Sequence, residues 1–503
     1  MTRKAAGPAG NPAKPSLSDE RCYEAYLAKD AKFDGLFFMG VTTTGIYCRA
    51  TCPSPPPRFE NCRFFRTAAA AEAAGFRPCL RCRPELAPGA PANKETSAIA
   101  HRAAELLRSG EAGRSVESVA RAVGVTSRQL RRIFEQTFGT TPAEYRSTCR
   151  LLLAKRLLTD TTLPVSAVAL SSGFGSQRRL NDEFRARYRL SPSKLRQTAS
   201  RDGAEAPAPT GTVSFRVCYR PPLQWERLLR FLSARAIPGV ERVSGGTYQR
   251  SVRVVDATGE ERTGWLSVAN DPERACLVCR ASETLAVALP QVLAIVERIF
   301  DTSCSPDAVA LGLKAFFQEL SGAAVDTAPG VRLAGCADPF EMTVRAVLGQ
   351  QITVRAATTL AGRVASELGT PIDTPLEGVD ALFPRASDLL EPDVPARLGT
   401  LGVTRQKQRA ICSLARALEE GELTLGPGAD PKRTRQALLG LPGIGEWTAQ
   451  YLLMRTCGYP DAMPATDYAV KCAFQGLAPR EIKERSLAWS PWRSYAVMYL
   501  WQS

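Results

Sequence analysis

Histidine is almost absent from this chain, whose 503 residues contain a single one, His101. Away from that residue the absence excludes Ser-His-Asp triads and Cys-His nucleophile pairs, because each needs an imidazole as its base. It also excludes zinc sites built from several histidines. Any metal site must therefore use thiolates, and the chain has 15 cysteines to supply them.

Long apolar runs are lacking as well. No stretch approaches the roughly 20 apolar residues needed to cross a bilayer. The segment before Leu17 is rich in Pro and Ala without an apolar centre, which favours a disordered tail over a signal peptide. We therefore expect a cytoplasmic protein, whose cysteines are thiols, metal ligands or nucleophiles and not disulfides.

Positive charge is abundant and unevenly distributed. The net charge is +15, and residues 97–197 hold 18 Lys and Arg against 8 Asp and Glu. Such a balance predicts a polyanionic partner. Anionic membrane is the alternative to nucleic acid, but no basic amphipathic helix with a large aromatic face is evident, so the sequence favours nucleic acid.

Linkers rich in Pro, Ala and Gly divide the chain at residues 87–92 and 200–211. They predict a small domain at 17–88 and a helical domain at 97–197. The remainder divides again. An alternating strand at 212–219, a helix at 223–232 and two alternating stretches around 256–259 predict an α+β domain at 211–325. Helical periodicity predicts an all-α domain at 326–503.

Four cysteines of the first domain form two closely spaced pairs, Cys48-x3-Cys52 and Cys79-x2-Cys82. Each short loop can place two ligands on one ion, so the pattern predicts one tetrahedral Zn²⁺ held by four thiolates. Spacing alone favours a purely structural site in a domain too small for a core of its own. Cys62 is an additional thiol that we expect in the buried core.

The residues around these pairs resemble the N-terminal domain of the Ada family of adaptive-response regulators. The similar segments are Phe38–Pro53 and Ala73–Cys82, within about seventy residues of resemblance. The resemblance implies a small α+β zinc domain in which Cys48 irreversibly accepts a methyl group from a DNA methylphosphotriester. Cys52, Cys79 and Cys82 would be the other zinc ligands.

Residues 97–197 show helix, tight turn, helix twice. The first unit runs from Ser115 through Gly124 to Phe138, with Thr126 or Ser127 as the helix N-cap, and the second runs from Val165 through Gly173 to Tyr188. A helical bundle with solvated charges would also fit. However, the second helix of each unit carries basic residues on its outer side: Arg128, Arg131, Arg132, Arg178, Arg179 and Arg185. The region resembles the all-α paired helix-turn-helix domain of AraC-type regulators, which implies DNA binding through these helices.

The segment Leu441-Pro442-Gly443-Ile444-Gly445 precedes a helical stretch and is typical of a helix-hairpin-helix. Gly443 and Gly445 permit a tight turn whose amides can face a phosphate. Non-enzymatic DNA proteins also use such hairpins. Asp467 follows some 20 residues later, the spacing that characterises the glycosylase superfamily sharing this hairpin.

The whole of 211–503 resembles the AlkA family of alkylated-base glycosylases, including a long helix at 340–364 and the segment Pro491–Ala496. The resemblance implies that Asp467 is the catalytic carboxylate and that Trp447, Tyr451 and Trp492 line the base pocket. A lone Asp is otherwise more often a helix cap, and Trp or Tyr more often core. Gln351 stands where the family has its intercalating Leu, so the identity of the wedge is open.

Lyase members of the superfamily carry Lys where this chain has Trp447, so we expect a monofunctional glycosylase of the DNA-3-methyladenine glycosylase II type. The chain also lacks the Pro-Cys-His-Arg motif of the second Ada methyltransferase, so we expect no repair of O6-alkylguanine. The alternative is a damage-sensing transcription factor with a non-catalytic glycosylase-like domain. Expected partners are alkylated and operator duplex DNA and RNA polymerase, with no membrane, and we expect a monomer.

Overall fold

A computed structural model describes residues 17–91, 98–108, 115–201, 211–320 and 325–502. The predicted tail and residues 202–210 of the second linker lie outside them. The described residues form two compact units: residues 17–90, 98–108, 115–159 and 164–201 belong to the first, and residues 91, 160–163, 211–320 and 325–502 belong to the second. The predicted domain borders within each unit stay predictions. None of the described helices is both long and apolar enough to cross a membrane.

The N-terminal part of the first unit is a four-stranded sheet with two helices. The sheet order is β3-β1-β2-β4, in which β2 and β4 run parallel. Thr67 caps α2 by accepting from the amide of Ala70. The elements are α1 (Asp19–Leu27), β1 (Phe38–Val41), β2 (Ile46–Cys48), β3 (Cys62–Phe65), α2 (Ala68–Ala73) and β4 (Arg77–Pro78).

The other described residues of the first unit form helices and their connections, and they contain both predicted helix-turn-helix motifs, α4–α5 and α7–α8. Gly124 and Gly173 turn the chain between the paired helices with φ of 80° and 77°. Thr126 is the N-cap of α5 and forms a capping box with Gln129. The helices are α3 (Ala98–Arg108), α4 (Val116–Ala122), α5 (Ser127–Phe138), α6 (Pro142–Asp160), α7 (Val165–Ser171), α8 (Gln177–Tyr188) and α9 (Pro192–Arg201).

The apolar pattern of the sequence predicts a long connecting helix at Arg150–Leu158, but this helix, α6, begins earlier, at Pro142. Thr141 and Glu144 explain the earlier start: Thr141 Oγ1 accepts from the Glu144 amide, and Glu144 Oε2 accepts from the Thr141 amide. Such a reciprocal pair satisfies amides that an uncapped helix start would leave free.

The second unit begins with an antiparallel sheet of order β5-β9-β8-β7-β6, which confirms the predicted α+β architecture. Cys218 and Cys276 lie directly opposite each other on β5 and β9 and form a disulfide. The prediction that the chain contains no disulfide is wrong for this pair. The elements are β5 (Thr212–Cys218), α10 (Trp225–Ser233), β6 (Glu241–Ser244), β7 (Thr247–Val255), β8 (Glu261–Asp271), β9 (Cys276–Ser282), α11 (Leu289–Phe300), α12 (Pro306–Gly312) and α13 (Lys314–Glu319).

Most of the remaining residues are helical, as predicted. The prediction of a single helix at 340–364 is wrong, because the structure has two helices separated by residues 349–353. Gln351 adopts a left-handed conformation with φ of 59°, and Thr353 caps the second helix. The elements are α14 (Pro339–Leu348), α15 (Val354–Leu368), β10 (Thr370–Pro371), β11 (Ala381–Leu382), α16 (Val394–Thr400), α17 (Arg405–Glu419), α18 (Pro431–Leu439), α19 (Glu446–Arg455), α20 (Tyr468–Ala473), α21 (Pro479–Arg485) and α22 (Arg493–Trp501).

Candidate metal centre and active site

The four predicted zinc ligands meet at one end of the first sheet. Cys48 is the last residue of β2, and Cys79 directly follows β4, its parallel neighbour. Parallel strands end on the same side, and the Cys79 amide donates to the Tyr47 carbonyl at 2.9 Å. Cys52 and Cys82 follow in short turns. All four Sγ atoms lie within 4.8 Å of one another, and all four side chains are buried.

The donor set of this cluster fits Zn²⁺. Burial, together with three neighbouring thiols, raises the pKa of Cys82 well above its usual value. Four thiolates at such distances would repel one another, so a divalent cation is needed to hold them in the charged form. Cys62 lies outside the cluster, and the prediction that it is buried is wrong, since it is half-buried and its Sγ donates to the Arg58 carbonyl at 3.3 Å.

The predicted DNA-contacting arginines of the two recognition helices, α5 and α8, are accessible. Arg131 pairs with Glu135, and Arg179 pairs with Glu183, one helical turn further along. Such exposed pairs contribute little stability and can exchange for phosphates. The exposed side chains are Arg128, Arg131, Arg132, Arg178, Arg179 and Arg185.

The predicted hairpin lies between α18 and α19. Gly443 and Gly445 are exposed, whereas Ile444 between them is buried in the core of the unit. Gly443 has φ of 78°, a conformation that residues with a Cβ rarely adopt. Gly445 is the N-cap of α19 and has no side chain to occupy the first amides of that helix. These amides can therefore donate to a phosphate.

Asp467 is the N-cap of α20 and is 8% exposed. Its Oδ1 accepts from the Ala469 amide at 3.0 Å and from Trp501 Nε1 at 2.9 Å, and its Oδ2 accepts from Trp447 Nε1 at 2.9 Å. The rings of Trp447 and Tyr451 stack with centroids 5.2 Å apart. The structure thus brings together three of the predicted residues, Asp467, Trp447 and Tyr451.

Trp492 does not belong to this cluster. It is 5% exposed, its indole fills the space that a side chain at Gly312 would occupy, and its ring meets Tyr495 edge to face. The aromatic residue that joins Asp467 is Trp501, whose ring also lies 5.7 Å from that of Tyr451. Trp501 was not predicted from the sequence. Its place nine residues further along the last helix could have suggested it only together with the packing of that helix.

Gln351 lies at the exposed turn between α14 and α15. The neighbouring Gln350 donates from Nε2 to the Gly443 carbonyl at 2.9 Å and to Thr448 Oγ1 at 3.1 Å. These bonds hold the turn of Gln351 beside the hairpin.

Four family models match the chain in succession. Residues 21–85 match the metal binding domain of Ada, and residues 99–198 match a helix-turn-helix domain. Residues 214–338 match the AlkA N-terminal domain. Residues 344–486 match the HhH-GPD superfamily of base excision DNA repair proteins.

Curated relatives follow the same order. A probable bifunctional transcriptional activator/DNA repair enzyme AlkA of Mycobacterium tuberculosis is 38% identical over 96% of both chains. DNA-3-methyladenine glycosylase 2 of Escherichia coli is 37% identical over 56% of this chain and 95% of its own. The bifunctional transcriptional activator/DNA repair enzyme Ada of the same organism is 38% identical over 28% of this chain and 38% of its own.

Proposed function

The chain belongs to the family of bifunctional transcriptional activators and DNA repair enzymes AlkA, and on that premise we propose specific roles for two of its residues. Asp467 is the catalytic carboxylate of a glycosylase that releases alkylated bases of the 3-methyladenine type. Cys48 accepts a methyl group from DNA methylphosphotriesters. The single observation that carries the first assignment is the carboxylate of Asp467 held by two indoles beside a stacked aromatic pair.

The aromatic pair suits a cationic base. An N-alkylated purine carries a positive charge, and a ring face attracts a cation with about 0.5–2 kcal/mol. Such a base can reach Trp447 and Tyr451 only after it has been flipped out of the duplex. Selectivity for alkylated bases then follows from charge as well as shape.

The leaving group needs no general acid, because the base is already cationic. The bond between C1′ and the base nitrogen breaks, its electron pair leaves with the base, and the base departs neutral. Asp467 stabilises the resulting oxocarbenium-like sugar through its negative charge. Water adds to C1′ and releases a proton. Indole N–H groups do not titrate near neutral pH, so Trp447 and Trp501 orient the carboxylate without neutralising it.

Methyl transfer to Cys48 uses different chemistry. Cys48, Cys52, Cys79 and Cys82 would hold Zn²⁺, which would keep the thiols deprotonated at neutral pH. The sulfur of Cys48 then attacks the methyl carbon, the bond from that carbon to the phosphate oxygen breaks, and an ordinary phosphodiester anion leaves. With Zn²⁺ bound, the four thiolates and the ion would carry a formal charge of −2, which methylation would reduce to −1. Repulsion of ordinary DNA phosphates decreases, which favours DNA binding and activation of transcription.

The proposed function is divided among four domains, at 17–88, 97–197, 211–325 and 326–503. The hairpin glycines and Gln351 contact damaged DNA, and the arginines of α5 and α8 contact the operator. The protein acts as a monomer that engages RNA polymerase.

A release assay tests the glycosylase. Purified protein is incubated with DNA carrying single defined lesions, and free bases are identified by chromatography. We expect release of 3-methyladenine and related cationic bases, and little release of unmodified purines. Tight binding to lesion DNA without release would instead favour a damage-sensing transcription factor with a non-catalytic domain.

A further inference from the structure

Besides its metal ligands, the zinc-binding part of the first unit contributes a buried carboxylate, Glu72 of α2, whose side chain is 1% exposed. Its Oε1 accepts from the hydroxyls of Tyr47 at 3.1 Å and Tyr188 at 3.2 Å. Its Oε2 accepts from Thr148 Oγ1 at 3.0 Å and from Arg187 Nη1 at 3.2 Å. One carboxylate therefore has four donors that come from three other elements.

These three elements are the ones that connect the metal centre to DNA recognition. Tyr47 lies on β2 and directly precedes Cys48. Thr148 lies on α6, the helix that joins the two helix-turn-helix motifs. Tyr188 is the last residue of α8, the second recognition helix. Glu72 thus ties the C-terminal end of that recognition helix to the strand of Cys48.

The first recognition helix, α5, is held at its C-terminal end too. Arg66 Nη1 donates to the carbonyls of Gln136 at 3.2 Å and Thr137 at 2.8 Å. Thr67 Oγ1 donates to the Phe138 carbonyl at 3.0 Å. A cation and a hydroxyl at the last carbonyls of a helix satisfy groups that the helix cannot pair itself and complement its dipole.

A second buried acid fixes α6. Glu85 lies three residues after Cys82 and accepts from Lys155 Nζ at 2.5 Å, and both side chains are at most 2% exposed. Burial would raise the pKa of Glu85, but the charges of Lys155 and Arg83 lower it to about 2. Arg83 also donates to Thr159 Oγ1 at 2.7 Å. The two acids and Arg83 therefore contact one face of α6 over more than two turns.

The Glu72 contacts are better suited to specifying geometry than to adding stability. Burial raises the pKa of Glu72 despite the opposing effect of Arg187. Buried charges recover little net stability, because desolvation offsets most of their attraction. Four donors with fixed directions, however, permit only one arrangement of the elements that carry them.

We propose that Glu72 is a positioning residue for DNA recognition: with Arg66 and Thr67 it clamps the C-terminal ends of α8 and α5, and thereby sets the separation and orientation of the two recognition helices. The zinc-binding part then has a role in DNA recognition that is separate from accepting a methyl group. This proposal rests on DNA binding by α5 and α8 and is independent of the roles assigned to Asp467 and Cys48.

Spacing preference provides the test. Duplexes selected from a random pool by the wild-type chain supply a parent site, and two base pairs are then inserted between its two contacted halves. We expect the insertion to weaken binding by wild type about tenfold or more, because the half-sites rotate out of phase. Glu72→Gln turns the side-chain NH2 toward hydroxyl donors and loses the ion pair with Arg187. This variant should bind the parent site about tenfold more weakly than wild type does. The two-base-pair insertion should weaken binding by the variant less than about threefold.

Two further variants make the result decisive. Glu105→Gln changes a half-buried acid of α3 that pairs with Arg108, and it should keep the wild-type spacing preference. Tyr188→Phe removes one donor from Glu72 and should shift the preference in the same direction as Glu72→Gln, with zinc content unchanged. If Glu72→Gln fails to fold, Tyr188→Phe decides by the same criterion. An insertion penalty equal to that of wild type in the folded variants would overturn the proposal, since a merely destabilising change lowers binding to every spacing alike.

Discussion

At the scale of single residues, the hydrogen bonds to Asp467 determine what its carboxylate can do. Three N–H donors hold it, and none of them is a cation that would neutralise it. The group therefore retains its charge for a developing positive centre on the sugar. Three of the roughly four lone-pair sites of the carboxylate are occupied, which favours electrostatic stabilisation over general-base catalysis as the proposed role of Asp467.

Replacing Asp467 by Asn should remove this charge and keep the size of the side chain. We expect single-turnover release of 3-methyladenine to fall about 10²–10³-fold, as for loss of a preorganised electrostatic group. DNA affinity should change little, because it depends on the hairpin and the basic surface. The measurement is base release from a single-lesion duplex beside a binding titration. Near wild-type release by the variant would remove Asp467 from the mechanism.

Trp501 and Trp492 provide a matched pair for the base pocket. Trp501→Phe keeps a ring beside Tyr451 but loses the N–H bond to Asp467 Oδ1, so we expect release to slow about tenfold with little loss of stability. Trp492→Phe leaves space next to Gly312 in the core, so it should lower the unfolding temperature and change the rate per folded molecule little. If Trp492→Phe slows base release and Trp501→Phe does not, Trp492 and not Trp501 lines the base pocket.

At the scale of secondary structure elements, α20 presents an exposed face directly beside the candidate catalytic group. Tyr468, the residue after Asp467, is 82% exposed, and Lys471 lies one turn further along on the surface. Adjacent Cα atoms are about 3.8 Å apart, so a nucleotide placed at Asp467 brings its neighbours close to Tyr468. An exposed aromatic ring with a nearby cation suits a base and its phosphate.

Tyr468→Ala should therefore weaken the engagement of lesion DNA. We expect the protein concentration for half-maximal single-turnover release to rise at least about fivefold, while the saturating rate changes less, since stacking contributes about 1–3 kcal/mol per base. Tyr468→Phe should resemble wild type. Leu487→Ala, at another exposed apolar residue (63% exposed), is the control. The Tyr468 effect should shrink when the flanking base is replaced by an abasic spacer, and an undiminished effect would contradict stacking.

At the scale of the whole molecule, the two activities are assigned to different compact units, with Cys48 in the first and Asp467 in the second. Cys48→Ser should abolish methyl uptake from phosphotriester DNA and leave base release unchanged. Asp467→Asn should show the reverse pattern. Radiolabelled methyl transfer and base chromatography on the same preparations measure both. Equal loss of both activities in either variant would show that the units do not act independently.

Features encoded by local spacing were predictable from the sequence. Two cysteine pairs in short turns, two helix-turn-helix units and a glycine hairpin followed by Asp467 indicated three of the four architectures and most of the candidate site, and alternating strands indicated the fourth architecture. Such motifs are predictable because a few consecutive residues fix the backbone that presents them. The break of the helix at 340–364 was missed, since its apolar periodicity continues through Gln351 although the backbone there is left-handed.

Only the tertiary structure determined which distant residues meet. Trp501 donates to Asp467 across 34 positions. Trp492 is nearer to Asp467 in the sequence than Trp501 is, but it packs against Gly312. Glu72 meets Tyr188 across 116 positions, and Cys218 meets Cys276 across a strand pair. Side-chain type indicates what each residue could bind. Its partner is set by how helices and strands pack, and that packing depends on the burial of apolar surface along the whole unit, which no local pattern encodes.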